Sequence, residues 1–93
     1  MNSLDIRTFA EINKDLAART ITLRKRKKIS QAELASRSGV SLGSIRRFES
    51  EGEISLRSLT KIAIALEVEN EIDSLFTEVP FNSLEELMNE QDR

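Results

Sequence analysis

The sequence predicts an all-α fold: five helices followed by a short C-terminal helical tail. Three observations carry this. Apolar residues recur at three- and four-residue spacing along most of the 93 residues, the pattern of helices with one buried face. No stretch alternates with period two for long enough to make a strand. Serines stand immediately before several of the apolar runs, where a helix needs a side-chain acceptor for its free amides. Only three glycines and one proline interrupt the pattern.

The first helix is predicted from about Asp5 to Lys27, with Ile6, Phe9, Ile12, Leu16, Thr20 and Leu23 at helical spacing. The pattern loosens near Phe9, which leaves open a separate turn or arm before it. Ser30-Gln31-Ala32-Glu33 predicts a capping box, with Ser30 accepting from the Glu33 amide and Glu33 reaching back. The helix it starts carries Ala32, Leu34 and Ala35, and Gly39 ends it in a left-handed turn. Ser41 caps a third helix bearing Leu42, Ile45 and Phe48, which stops near Gly52. Ser55 caps a fourth, with Leu56, Leu59, Ile62, Ala63 and Leu66 toward the core. Ile64 and Ala65 widen its apolar face, so burial on two sides is expected. A fifth helix runs from Glu69 to Phe76. Pro80 then breaks the chain, and Asn82 or Ser83 caps a final helix holding Leu84, Leu87 and Met88.

Composition excludes several classes of function. The sequence holds no Cys and no His, which removes disulfides, thiol nucleophiles, imidazole bases and zinc sites. No apolar run approaches the roughly 20 residues of a membrane span, and the acidic, broken N-terminus does not resemble a signal peptide. The expectation is an intracellular, cytoplasmic protein that needs no cofactor or metal and is not an enzyme. Charge is small in sum, at −2, but unevenly spread. Residues 19–47 set nine basic residues against Glu33 alone, a net of +8, whereas residues 67–93 set nine acids against Arg93, a net of −8. Such polarity suits nucleic-acid binding at one end and another role at the other. The run from Arg24 to Lys28 is also what a solvated helix end looks like, since cations complement the macrodipole there.

Between Gln31 and Glu49 lie two short helices joined by a tight turn containing Gly39, the second presenting small and basic residues. That is the helix-turn-helix pattern. Ala35 is small where the two helices cross. Val40, Ile45 and Phe48 are placed to fill the wedge between these helices and the first one. Ser41, Leu42, Gly43, Arg46 and Arg47 are left free to face a DNA major groove. The string LRKRKKISQAELASRSGVSLGSIRRFES, from Leu23 to Ser50, resembles the Xre/Cro/C1-type helix-turn-helix family of phage and bacterial repressors, and the similarity extends from Leu16 to about Leu66. Leu16, Leu23, Arg24, Ser30, Gln31, Leu34, Ala35, Gly39, Val40, Ile45 and Glu49 carry it. Thr20 departs from it, standing where the family places an aliphatic residue, so looser packing is expected there.

The resemblance implies a five-helix lambda-repressor-like domain over residues 1–76, an acidic helical tail over residues 77–93, and a set of DNA contacts. Leu42, Gly43, Arg46 and Arg47 match base-contacting positions, with Arg46 nearer the backbone. Arg47 is the expected direct reader, because guanidinium meets guanine O6 and N7 bidentately. Leu42 is suited to a thymine methyl, and Gly43 lacks the side-chain reader the family places there. Gln31, Ser41, Ser44 and Arg57 match phosphate contacts. Arg24 and Glu49 match a structural ion pair between the first and third helices. The resemblance also implies a double-stranded operator bound by a homodimer.

Other chemistry fails on spacing. Glu49, Glu51 and Glu53, and likewise Glu85 and Glu86, do not converge on a point along a helix. Gly39-x3-Gly43-Ser44 lacks the lysine of a phosphate loop. Two readings stay open for the C-terminal part. The segment from Ser55 to Phe76, then Pro80 and Ser83 to Met88, is similar to small antitoxins of the HipB type encoded beside HipA-like kinase toxins. It implies an autoregulating toxin–antitoxin repressor whose Phe81, Leu84, Leu87 and Met88 hold the toxin. The alternative is a stand-alone phage-type or metabolic repressor, whose tail dimerises or keeps it soluble.

Overall fold

The computed structural model describes residues 6–78 and 88–90. Within residues 6–78 five α-helices follow one another: α1 (Phe9–Arg26), α2 (Gln31–Ser38), α3 (Leu42–Glu51), α4 (Leu56–Ala65) and α5 (Glu69–Asp73), with no strand among the described residues. α1 packs on α3, α2 on both α3 and α4, and α5 on α4. One core results, built from Ala17, Ile29, Leu34, Val40, Ile45, Phe48, Ile62 and Leu66, with Leu16, Leu23, Ala35, Ile54, Leu59, Ala65 and Val68 packed against it. Val40, Ile45 and Phe48 are buried, as expected of the residues wedged against α1.

Each of the first four helices begins on a hydroxyl. Thr8 Oγ1 accepts from the Glu11 amide and Glu11 Oε1 accepts from the Thr8 amide, a complete capping box. Ser30, Ser41 and Ser55 each accept from the amide three residues on, at 3.0–3.1 Å. The box expected at Ser30 is only half formed. Glu33 turns outward to Arg37, one helical turn away at 2.6 Å, because an ion pair along the helix offers its carboxylate a charged donor.

Several expectations are corrected. α1 starts at Phe9, not Asp5, because the Thr8 cap sits in extended geometry and ends the helix there. Ile6 therefore lies outside α1, and Ile6, Phe9 and Ile12 are all exposed. Helical spacing alone did not bury them, since Gly52 at the end of α3 meets α1 at Asn13–Lys14 and the earlier turns run on beyond it. Ala32 faces solvent on α2. Leu56, the first residue of α4, and Ile64 are exposed rather than buried, so α4 buries one face and not two. α5 closes at Asp73, short of Phe76, which adopts a left-handed φ of 63° and is 86% exposed. Thr20 is half-buried, and its hydroxyl donates to the Leu16 carbonyl at 2.9 Å, so the polar atom is satisfied where an aliphatic was expected. Of the C-terminal stripe, Phe81, Leu84 and Leu87 lie outside the described residues, while Met88 is helical and exposed.

Two glycines end helices in left-handed geometry, Gly39 at φ 75° and Gly52 at φ 78°. They differ in surroundings. A Cβ on Gly39 would meet nothing within 4 Å, whereas one on Gly52 would lie 3.0 Å from the Asn13 carbonyl carbon and 3.1 Å from the Lys14 amide. Gly39→Ala should cost about 1–2 kcal/mol, the left-handed penalty alone. Gly52→Ala should cost roughly 1–3 kcal/mol more, since backbone must also move. Urea melts of the two variants check this; equal losses would show that α1 absorbs the contact freely.

Candidate nucleic-acid interface

The interface is organised from beneath by a buried polar cluster. Arg24, in the last turn of α1, donates from Nε to Glu49 Oε2 at 2.7 Å and from Nη2 to Glu49 Oε1 at 2.9 Å. Both side chains are under 10% exposed. The third guanidinium nitrogen, Nη1, donates to the Ile29 carbonyl at 2.9 Å. The Gln31 side chain, at the first position of α2, donates from Nε2 to Glu49 Oε1 at 2.9 Å. No buried side-chain polar atom among the described residues lacks a partner. The cluster thus ties α1, the turn after it, α2 and α3 to one carboxylate.

That carboxylate is held charged. Burial pushes the Glu49 pKa up, but hydrogen bonds from Arg24 and Gln31, with the charges of Arg24 and Lys25, outweigh it and leave the group below its ordinary 4.5. The paired resemblance of Arg24 and Glu49 pointed to this contact. The part played by Gln31 was not anticipated, because residues 18 apart carry no periodic signal that they meet.

Above the cluster, α3 turns a polar face outward. Ser41, Gly43, Ser44, Arg46 and Arg47 are exposed, and Leu42 is half-buried at the first position of the helix. Ser41 Oγ accepts the Ser44 amide and donates to Ser44 Oγ at 2.8 Å, so both hydroxyls sit together at the α3 N-terminus. A Cβ at Gly43 would meet nothing within 4 Å, which leaves a bare stretch of backbone on the exposed face. Arg47 Nε lies 3.8 Å from Glu51 Oε1, a loose pair between two well-exposed side chains, and its guanidinium remains free to reach outward.

Arg57 is exposed in the first turn of α4. Between α3 and the start of α4 lies a cleft of about 310 Å³, lined by Ser44, Arg47, Glu53, Ile54, Ser55 and Ser58. Of these, Ser55 was expected only as the cap of α4 and Glu53 only as a solvated carboxylate, and Ser58, whose amide donates to Ser55 Oγ, carried no separate signal. The basic residues Lys25, Arg26, Lys27 and Lys28 are exposed at the end of α1, next to the turn that leads into Gln31. Lys28 holds a left-handed φ of 58° there. Backbone bonds from Lys28 to the Lys25 carbonyl and from Ile29 to the Arg24 carbonyl close the helix as a glycine-type cap does.

The Glu49 pair has a defined acid signature. A carboxylate whose folded pKa is depressed adds stability that is complete above its unfolded value and is lost as pH falls through the folded one. The contribution of the pair should be flat at neutral pH and decline below about pH 4.5. Glu49→Ala leaves Arg24 charged and buried, and should cost roughly 3–5 kcal/mol. Denaturant melts across pH should show wild type and variant converging only in that acid range, whereas a constant gap would exclude the pair as the source.

Among the described residues no helix is long and apolar enough to cross a membrane. The helix-turn-helix family model matches residues 21–69, more than half of the chain, from the last third of α1 to the start of α5. No curated protein and no solved structure gives a match. The matched span holds α2, the turn at Gly39, α3 and the whole Arg24–Glu49–Gln31 cluster, and on it the chain belongs to the Xre/Cro/C1-type helix-turn-helix family of DNA-binding transcription regulators.

Proposed function

We propose that the protein is a sequence-specific repressor that binds a two-fold-symmetric operator as a homodimer, with α3 in the major groove. The observation that supports this best is the exposed face of α3, where Arg47 stands clear on a helix fixed from below by a buried ion pair. The +8 stretch of residues 19–47 supplies the attraction to phosphate. Arg47 and Leu42 read base edges, with Gly43 and Arg46 beside them, while Gln31, Ser41, Ser44 and Arg57 hold the backbone. One such domain offers few contacts, and two-fold repetition with half-sites about one helical turn apart is the usual remedy.

A second, protein-binding role is favoured by the far end of the molecule. Leu75 and Phe76 are exposed just beyond α5, within the −8 segment of residues 67–93. On this reading the repressor is an antitoxin of the HipB type, with residues 1–76 as the DNA-binding unit and residues 77–93 holding a HipA-like kinase toxin.

Arg47→Ala should cost about 1–3 kcal/mol on the operator and relax preference at one base pair. Arg57→Ala should instead weaken all duplexes alike and lower the salt slope by about one. Equal losses on operator and random DNA for Arg47→Ala would remove it as the reader. A chain ending at Phe76 should still fold and bind DNA while failing to retain the toxin in a co-purification. A truncated chain that turns monomeric and loses the operator would make the tail a dimerisation element and remove the antitoxin reading.

A further inference from the structure

We infer that Glu49 is a positioning residue for DNA-backbone binding: its carboxylate fixes the Gln31 carboxamide at the start of α2 so that one of its N–H groups is presented to a phosphate oxygen. This deepens the DNA-binding reading and rests on it.

The chemistry of the contact leaves one orientation. An ionised carboxylate only accepts hydrogen bonds, so Gln31 meets Glu49 through its amide nitrogen and not through its carbonyl. Nε2 carries two hydrogens. One is spent on Glu49 Oε1, and the second remains for an acceptor outside the fold. A phosphate oxygen is such an acceptor, and it too can only accept.

The bond from Gln31 is not required by the ion pair. Arg24 already engages both carboxylate oxygens of Glu49, and Ser30 already caps α2. What the extra bond changes is Gln31 itself. A long, half-buried side chain with several rotatable torsions is ordered before any ligand arrives, and the entropy of ordering it is not charged to DNA binding. A bare carboxylate so close to a phosphate would repel it. The bidentate guanidinium of Arg24 cancels that charge, and Lys25 lies near enough to add to the effect.

The test uses a random-sequence DNA duplex, because a phosphate contact carries no sequence information. Replacing the pair together, Arg24→Met with Glu49→Leu, keeps the net charge and avoids stranding a buried ion. This double variant should weaken duplex binding about three- to tenfold, the cost of ordering one long side chain at the moment of binding. The salt slope should be unchanged, since Gln31 is uncharged. Adding Gln31→Ala to it should cause no further loss. Full affinity in the double variant, or losses that multiply when Gln31→Ala is added, would overturn the inference, because the pair would then act on binding through some route other than Gln31.

The wild-type chain gives an independent measurement if the double variant does not fold. Before DNA is added, the Gln31 side-chain proton bonded to Glu49 should be shifted from the free-glutamine position and protected from exchange with water. Both protons at free-glutamine positions, and exchanging as those of an exposed carboxamide do, overturn the inference alone. A wild-type chain that binds no duplex overturns the DNA-binding reading and this inference with it.

Discussion

Apolar packing brings α3 against α1 and α2 but does not by itself set its rotation. Ile45 and Phe48 are fully buried, yet contacts of this kind are non-directional and tolerate small turns of the helix about its axis. The bidentate bond from Arg24 to Glu49 has no such freedom. A planar guanidinium matches a carboxylate in one plane and at two atoms, so it fixes both the rotation and the height of the last turn of α3. A helix that reads base edges depends on that, because a bidentate contact to a base is lost with a small change in angle. In energy alone a pair of apolar side chains could serve as well. What the ion pair adds is direction, and the third nitrogen of Arg24, bonded to the Ile29 carbonyl, extends that direction to the turn leading into α2.

The polar cluster also explains why helices this short can be held in register. α2 has eight residues and α3 and α4 have ten each, lengths that are marginal in isolation. Their ends must be satisfied within the fold. Hydroxyl caps at Ser30, Ser41 and Ser55 do this at the N-termini. Left-handed residues do it at the C-termini: glycine after α2 and α3, but Lys28 after α1 and Glu67 after α4. The non-glycine cap after α1 carries a conformational cost. It places a fifth consecutive cation near the N-terminal end of α2, where a glycine would have carried no charge.

Legibility in the sequence followed how local each signal was. The segment from Ser30 to Gly52 was predicted almost residue for residue, because caps, turn glycines and apolar spacing all fall within a few residues of one another. Thr8-Phe9-Ala10-Glu11 carries the same kind of signal, but the expected start at Asp5 followed the apolar stripe back to Ile6, and the cap at Thr8 decides the start. Leu56 and Ile64 failed for the opposite reason. Their spacing was helical, but which face of α4 meets α2 is decided by tertiary contact and not by period. The meeting of Gln31 with Glu49 is long-range in sequence, and no one-dimensional pattern announces it.

The bareness of Gly43 bears on how an operator could be told from other DNA. Specific binding typically exceeds non-specific by roughly 4–10 kcal/mol, and one bidentate base contact supplies about 1–3 kcal/mol. On the repressor reading, Arg47 is the main bidentate reader in each half-site, with Leu42 adding an apolar contact to a thymine methyl. Two half-sites then reach about 2–6 kcal/mol from Arg47, which meets only the lower part of that range. The remainder has to come from terms that touch no base edge, chiefly the sequence-dependent cost of fitting DNA to two rigidly held copies of α3. Such indirect readout works only if the protein is stiffer than the duplex. The ion pair under α3, buried and with each of its nitrogen and oxygen atoms hydrogen-bonded, contributes to that stiffness, and on the same reading a bare Gly43 lets the helix backbone come close to the groove.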